Sequence, residues 1–264
     1  MEGAWIRQMD LKLTLLGTGT SHGVPAIGCS CPVCRSDDLN NKRYRCSALL
    51  QFEGRCVVID TATEFRLQAL RVGLTRLDAV LFTHSHADHV SGLDDVRSFS
   101  GRQGAAIPCY GSVECLDDIH RRFDYIFTET QMGGGKPRLE LIPANGPFEL
   151  FGLRIVPVPV YHGRLPVLGF RFGPAAYVTD CSSIPESSME MLQGLDLLVL
   201  DALRWRPHTT HFNVEQALEV VGRLRPRAAY FTHITHDLDH SGTNAVLPAG
   251  VELAYDGLEV SLVV

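Results

Sequence analysis

The sequence predicts an α/β protein that places its chemistry where strands end, and three observations lead there. Short apolar runs alternate with capped segments of helical length along most of the 264 residues. Three of those runs, Leu81-Phe82-Thr83-His84, Tyr177-Val178-Thr179-Asp180 and Tyr230-Phe231-Thr232-His233, each pass through a threonine to a side chain that binds metals, and Val58-Ile59-Asp60 is a looser version. The stretch His84 to His89 packs three histidines and an aspartate into six residues. Ligands at the ends of several strands converge when the strands lie side by side, which is where α/β folds build their sites.

Taken in order, Leu11–Leu16 reads as a strand, followed by a turn-rich loop from Gly17 to Pro25. Gly17 and Gly19 form no complete phosphate-binding motif, so they are expected to let the backbone pass close to something, such as a metal site or substrate. Residues 46–52 and 56–59 form a hairpin around Glu53-Gly54-Arg55. Residues 63–72 and 89–99 read as helices on either side of the short strand 79–82. Ile107–Tyr110 is a strand, and Ser112 caps a helix running to Phe123. The stretch 124–137, with glycines 133–135, breaks regular structure and is a candidate lid. Strands at 148–150 and 153–160 carry prolines that suggest sheet edges. Beyond them come strands at 175–179, 195–200, 228–231, 251–254 and 258–264. A helix with Pro185 at its first turn and Met189, Met191 and Leu192 inside it, and another from an Asn213/Gln216 capping box to Leu224, lie between.

Composition narrows the class. The chain is 45% hydrophobic and 20% charged, enough for a sizeable core, and is expected to form a single domain over 1–264. A net charge of −6 gives no strong drive toward nucleic acid. No apolar stretch reaches membrane-spanning length, and Glu2, Asp10 and the brief run Leu13–Leu16 do not make a signal peptide, so a cytoplasmic location is expected. The eight cysteines are then expected to be reduced.

His84 and His86, two apart in extended chain, point the same way, and Asp88 and His89 at a helix start can turn onto the same cavity. That arrangement suits two adjacent metal ions. Adding His162 after its own strand gives the set His84, His86, Asp88, His89, His162, Asp180 and His233. Cys29, Cys31 and Cys34 have the spacing of a tetrahedral zinc site that lacks one ligand, and the polar stretch 35–45 is expected to be exposed and anchored by it.

The signature T-H-x-H-x-D-H at Thr83–His89, with His162, Asp180 and His233 downstream, resembles the metallo-β-lactamase superfamily over nearly the whole chain. The segment Gly17–Cys34 and the Thr-His-Ile-Thr-His run at 232–236 further resemble the PhnP-type phosphodiesterases, which open phosphoribosyl 1,2-cyclic phosphate during phosphonate breakdown. The fold so implied is an αββα four-layer sandwich with a small Cys-rich zinc-binding loop at 28–46. The resemblance implies one ion on His84, His86 and His162, a second on Asp88, His89 and His233, and Asp180 between them. The ions would be zinc or manganese. It also implies a structural zinc completed by His236, and His211 as a non-ligand active-site histidine, with His208 the neighbouring alternative. Asp60 would orient a ligand histidine. Asp88 and His211 are thus the expected catalytic residues, and His22 takes no role from the resemblance.

The implied reaction is attack of metal-activated hydroxide on the phosphorus of a small phosphodiester, with His211 assisting the leaving group. A homodimer is the implied assembly; no membrane or nucleic-acid partner is expected. Three rivals use the same ligands or cysteines differently: a tRNA 3′-end nuclease, a lactone or thioester hydrolase, and a redox sensor built on Cys29, Cys31 and Cys34. The basic, glycine-rich arm a tRNA nuclease needs has only a short counterpart at 133–138.

Overall fold

The computed structural model describes residues 9–129 and 135–264. The first half of the chain supplies β1 (Asp10–Gly17), β2 (Ser47–Phe52), β3 (Arg55–Ile59), β4 (Ala79–Leu81), β5 (Ile107–Gly111) and β6 (Leu139–Pro143). The second supplies β7 (Phe148–Leu150), β8 (Leu153–His162), β9 (Leu165–Phe172), β10 (Ala175–Val178), β11 (Leu197–Asp201), β12 (Ala228–Thr232), β13 (Val251–Leu253) and β14 (Glu259–Val263). These make two seven-stranded sheets, ordered β14-β1-β2-β3-β4-β5-β6 and β13-β12-β11-β10-β9-β8-β7. In each sheet one half is parallel, β3 to β6 and β10 to β13, and the other antiparallel.

The parallel halves need crossover helices. The helices are α1 (Pro32–Arg35), α2 (Phe65–Arg71), α3 (Ala87–Val90), α4 (Arg97–Gln103), α5 (Val113–Arg122), α6 (Asp124–Phe127), α7 (Glu186–Met191), α8 (Val214–Leu224) and α9 (His240–Asn244). Strand side chains alternate between two apolar layers. Val57, Ile59, Ala79 and Leu81 pack between the sheets against Phe170, Phe172, Tyr177 and Val199. Val58, Val80 and Phe82 face the other way, onto Phe65 of α2 and Leu116 and Ile119 of α5. On the second sheet, Val178, Leu198 and Leu200 meet Met189 of α7 and Ala217 and Val220 of α8. Both faces of each sheet are therefore covered, which is why these strands read as continuous apolar runs. Burying a side chain such as Val199 or Phe170 contributes roughly 1.5–3 kcal/mol. The fold is the αββα sandwich.

Local chemistry fixes many ends. Glu53-Gly54 and Phe151-Gly152 both take positive φ as two-residue hairpin loops. The Ser112 side chain accepts from Cys115 N, and Asn213 and Gln216 form the reciprocal capping box of α8.

Several expectations need correcting. Residues 89–99 are not one helix. Gly92 N bonds to Thr61 O, and a Cβ at Gly92 would fall 2.2 Å from Ala62 O, so the chain breaks into α3, a 3₁₀ turn at Leu93–Val96 and α4. The prolines of β8 do not mark an edge strand outright; β8 lies between β7 and β9, and Pro157 and Pro159 fall where it has run past the end of β7. Strands β6 and β9 and helix α9 lacked a sequence signal of their own. Asp124–Phe127 is helical rather than irregular, whereas residues 130–134 of the candidate lid lie outside the described residues. The stretch 35–45 is not simply exposed: Asn41 and Arg43 are buried. Arg43 donates to Thr18 Oγ1 and Ala254 O, and Asn41 bonds to Asp239 and to His240 N. The tight glycine at 17 serves this packing rather than a metal or substrate, because a Cβ there would sit 2.0 Å from Arg45 O.

Candidate metal centre

The two sheets are tied beside the site by the bond from Leu168 N, within β9, to Thr83 O, just past β4 (3.0 Å). Asp60, Asp180 and His233 follow β3, β10 and β12, and all three take positive φ, at 62°, 51° and 60°. Asp and His tolerate this left-handed region better than most side chains. Holding each one there costs on the order of 1–3 kcal/mol, which the surrounding sheets sustain.

Two groups result. His84, His86, His162 and Asp180 bring their ligand atoms within 4.8 Å of one another, and so do Asp88, His89, Asp180 and His233. Asp180 joins them. Its Oδ2 lies 3.8 Å from His84 Nε2, while its Oδ1 lies 3.2 Å from His89 Nε2 and 3.4 Å from His233 Nε2. All seven side chains singled out in the sequence are thus in one place.

The contacts behind them orient the imidazoles. Thr83 N and Oγ1 both donate to Asp60, at 2.8 Å each. His89 Nδ1 donates to the same carboxylate at 2.7 Å, which is the orienting role expected of Asp60. Because the Thr83 hydroxyl proton goes to Asp60, its oxygen accepts from His84 Nδ1 at 3.0 Å. His162 Nδ1 donates to Thr210 O at 2.8 Å. In each ring Nε2 is left as the lone-pair nitrogen. The Nε2 atoms of His84, His89 and His233 are buried and have no hydrogen-bond partner. A buried polar nitrogen without a partner carries a penalty of ~1–3 kcal/mol. Three such nitrogens converging on a carboxylate are the donor set of a divalent cation.

Electrostatics agree. Burial pushes the His84, His162 and His233 imidazoles below their ordinary range and keeps them neutral. Burial acts the same way on His89, but Asp180 and Asp60 outweigh it and raise His89 well above that range. A proton there answers a surplus of carboxylate that a divalent cation would answer instead.

A third group lies alongside. His211 Nδ1 donates to Asp201 Oδ2 at 2.8 Å, and Cys181 N donates to the same oxygen at 2.7 Å. The His211 ring stacks on His233 with centroids 4.5 Å apart and lies 4.5 Å from His162. Burial alone would lower its pKa; Asp201 raises it above the ordinary range. His208 lies further out and is exposed, with its ring centroid 5.2 Å from that of His211. Asp201 was not among the sequence candidates, although it ends an apolar strand as Asp60 does.

Cys29, Cys31, Cys34 and His236 also converge within 4.8 Å. Cys34 Sγ lies 3.2 Å from His236 Nδ1, and burial pushes the Cys34 thiol up to about 11, so a cation is needed to hold it as thiolate. All eight cysteines are free thiols.

Comparisons with known proteins match this geometry. The family model described as the beta-lactamase superfamily domain matches residues 55–234. A crystal structure described as a diphosphatase from the PhnP family superposes with a TM-score of 0.92 and 47% identity, covering 97% of this chain and 99% of that one. The octanoyltransferase of Porphyromonas gingivalis is 39% identical over 94% of this chain, which spans only 51% of that protein's length. Human tRNase Z, short form, shares the fold at 20% identity and a TM-score of 0.68, covering 94% of this chain and 98% of that one. The chain belongs to the β-lactamase superfamily and has the metallo-β-lactamase fold. Within it, this is a PhnP-type protein.

Proposed function

We propose that the protein hydrolyses a small phosphodiester, a cyclic one such as phosphoribosyl 1,2-cyclic phosphate. The observation that carries this is the Asp180 carboxylate shared between two His-rich groups, with His211 stacked beside them. His84, His86 and His162 would hold one divalent ion, Asp88, His89 and His233 a second, and Asp180 both. Cys29, Cys31, Cys34 and His236 would hold a structural zinc. The chemistry supplied by bound divalent ions is neutralisation of phosphoryl oxygens and a lowered pKa for water.

The chain's own residues do the rest. Asp60 and Thr83 hold His89 and His84 in register. Asp88 is the least buried side chain of its group, and its carboxylate is held well below the ordinary range, so it stays ionised. His211, protonated against Asp201, stabilises charge on the phosphoryl group and gives its Nε2 proton to the departing alkoxide. General acid assistance of this kind is worth about 10²–10⁴-fold.

A second reading is cleavage of a phosphoanhydride, favoured by the 47% identity to a protein described as a diphosphatase. A panel on zinc- or manganese-reconstituted protein separates the readings: cyclic and linear diesters, nucleotide diphosphates, lactones, thioesters and an octanoyl donor. Diesters are expected to turn over fastest. Faster turnover of a thioester or lactone overturns the proposal.

A further inference from the structure

Two of the three histidines in the first metal group are oriented by a hydrogen bond of their own, His84 Nδ1 by Thr83 Oγ1 at 3.0 Å and His162 Nδ1 by Thr210 O at 2.8 Å. The His86 ring makes no hydrogen bond among the described residues. It meets two other imidazoles edge-on, His84 and His162, with centroids 4.5 and 5.1 Å apart. His86 is the N-cap of α3, at φ −62° and ψ 149°, and its side chain makes no capping bond. Its direction is therefore set by its backbone, and the peptide between the two ligands is that of Ser85. Helix α5 grips Ser85 at two points. Ser85 Oγ donates to Asp118 Oδ2 at 2.7 Å, and Ser85 O accepts from Arg122 Nη1 at 2.6 Å. Asp118 and Arg122 are four residues apart and so share a helix face, with 3.9 Å between Arg122 Nη2 and Asp118 Oδ2. The Ser85 hydroxyl and then Arg121 hold the Asp118 carboxyl below its ordinary range, as an ionised acceptor. The helix is itself anchored, because Cys115, Leu116 and Ile119 belong to the same apolar layer as Val80 and Phe82, on the chain that leads into the motif. On the other side Leu168 N holds Thr83 O. The segment with His84 and His86 is thus braced by the second sheet before it and by α5 within it.

We propose that Asp118 and Arg122 are positioning residues for the ion on His84, His86 and His162, and that they act by fixing the Ser85 peptide and, through it, His86. This role rests on the two-ion reading above. Neither residue supplies a ligand atom to the metal groups. Both side chains are partly exposed, 31% for Asp118 and 46% for Arg122. Ion pairs that open to solvent add little to folding stability. Removing either side chain is therefore expected to show in metal affinity rather than in the melting of the metal-free chain.

The test is zinc content of the full chain after dialysis against graded chelator, read by elemental analysis. Wild type should hold two ions at the His-rich groups and one at the cysteines. Asp118→Ala and Arg122→Ala should each weaken one His-rich ion about tenfold, the low end of what a lost orienting contact costs. The other two ions and the metal-free melting temperature should stay close to wild type. Asp118→Asn, whose amide oxygen still accepts from Ser85, should recover most of the affinity. Arg121→Ala removes a partner of Asp118 and none of Ser85, and should change nothing. In His162→Ala, where that ion is already lost, adding Asp118→Ala should not weaken the ions that remain. Unchanged zinc affinity in both alanine variants overturns the role. So does a further loss in the His162→Ala background, or a loss from all three centres together with a lowered metal-free melting temperature. If wild type holds one ion at the His-rich groups, the two-ion reading fails. The positioning role then stands if Asp118→Ala weakens that ion and Asp118→Asn restores it, and falls otherwise.

Discussion

His211 Nδ1 sits 2.8 Å from Asp201 Oδ2, and the same carboxylate oxygen takes the Cys181 amide at 2.7 Å. Asp201 is therefore fixed by backbone and fixes His211 in turn, with the imidazole stacked against His233. His211→Ala is expected to keep its metal content and lose about 10²–10⁴-fold in kcat. Asp201→Asn should lose less, because the ring stays in place while its positive charge is no longer supported. If kcat is unchanged in His211→Ala, the role passes to His208.

Asp180 is the member common to both metal groups, each of its oxygens facing a different one. Asp180→Ala should strip metal from both. Elemental analysis after dialysis is the measurement. Two ions retained at the His-rich groups would sink the shared-ligand assignment.

Asp60 contacts no ligand atom on the metal side, yet it holds His89 directly and His84 through Thr83. Asp60→Asn should weaken metal affinity by about 10–100-fold, the usual effect of losing an orienting carboxylate. Chelator competition measures it. Unchanged affinity would mean that packing alone orients the two rings.

The Cys-rich centre stands on the loop that also carries His233, since His236 follows three residues later. Cys34→Ser should lose one zinc per chain and lower the melting temperature, while the His-rich groups keep theirs. A variant with unchanged total zinc would show that the thiols hold none.

Most of the centre was legible in the sequence because its ligands recur after apolar strands, and β-strand ends are easy to read when both faces are buried. The seven His and Asp side chains converge, and so do Cys29, Cys31 and Cys34 with His236, a partner that only the family resemblance supplied. What escaped was relational. Asp201 looks like an ordinary strand-terminal aspartate until His211, ten residues on, folds back to it. Strands β6 and β9 are half polar or interrupted by Pro166 and Gly169, so their pairing comes from neighbours rather than from local pattern. The stretch 35–45 reads as exposed because Arg43 is charged. The distant Asp256, Thr18 and Ala254 help to make its burial tolerable.

Asp256 ties the glycine loop to that stretch, accepting from Thr18 N, Thr18 Oγ1 and Tyr44 N at 2.9, 2.8 and 2.6 Å. Burial outweighs these bonds and the nearby Arg43, and pushes the carboxyl up to about 6. The unfolded value is about 3.9. Between those two values the folded chain binds more protons than the unfolded one, so this group's contribution is complete below about pH 4 and declines as pH rises through 6. Asp256→Asn removes the titration. It should be less stable than wild type at pH 4, where the Tyr44 amide loses its acceptor. The gap should then narrow toward pH 7 by up to ~3 kcal/mol. Urea denaturation of metal-free wild type and variant at matched pH reads this difference. A gap that instead widens from pH 4 to 7 would mean that Arg43 stabilises the carboxylate more than burial opposes it, and that the folded pKa lies below the unfolded one.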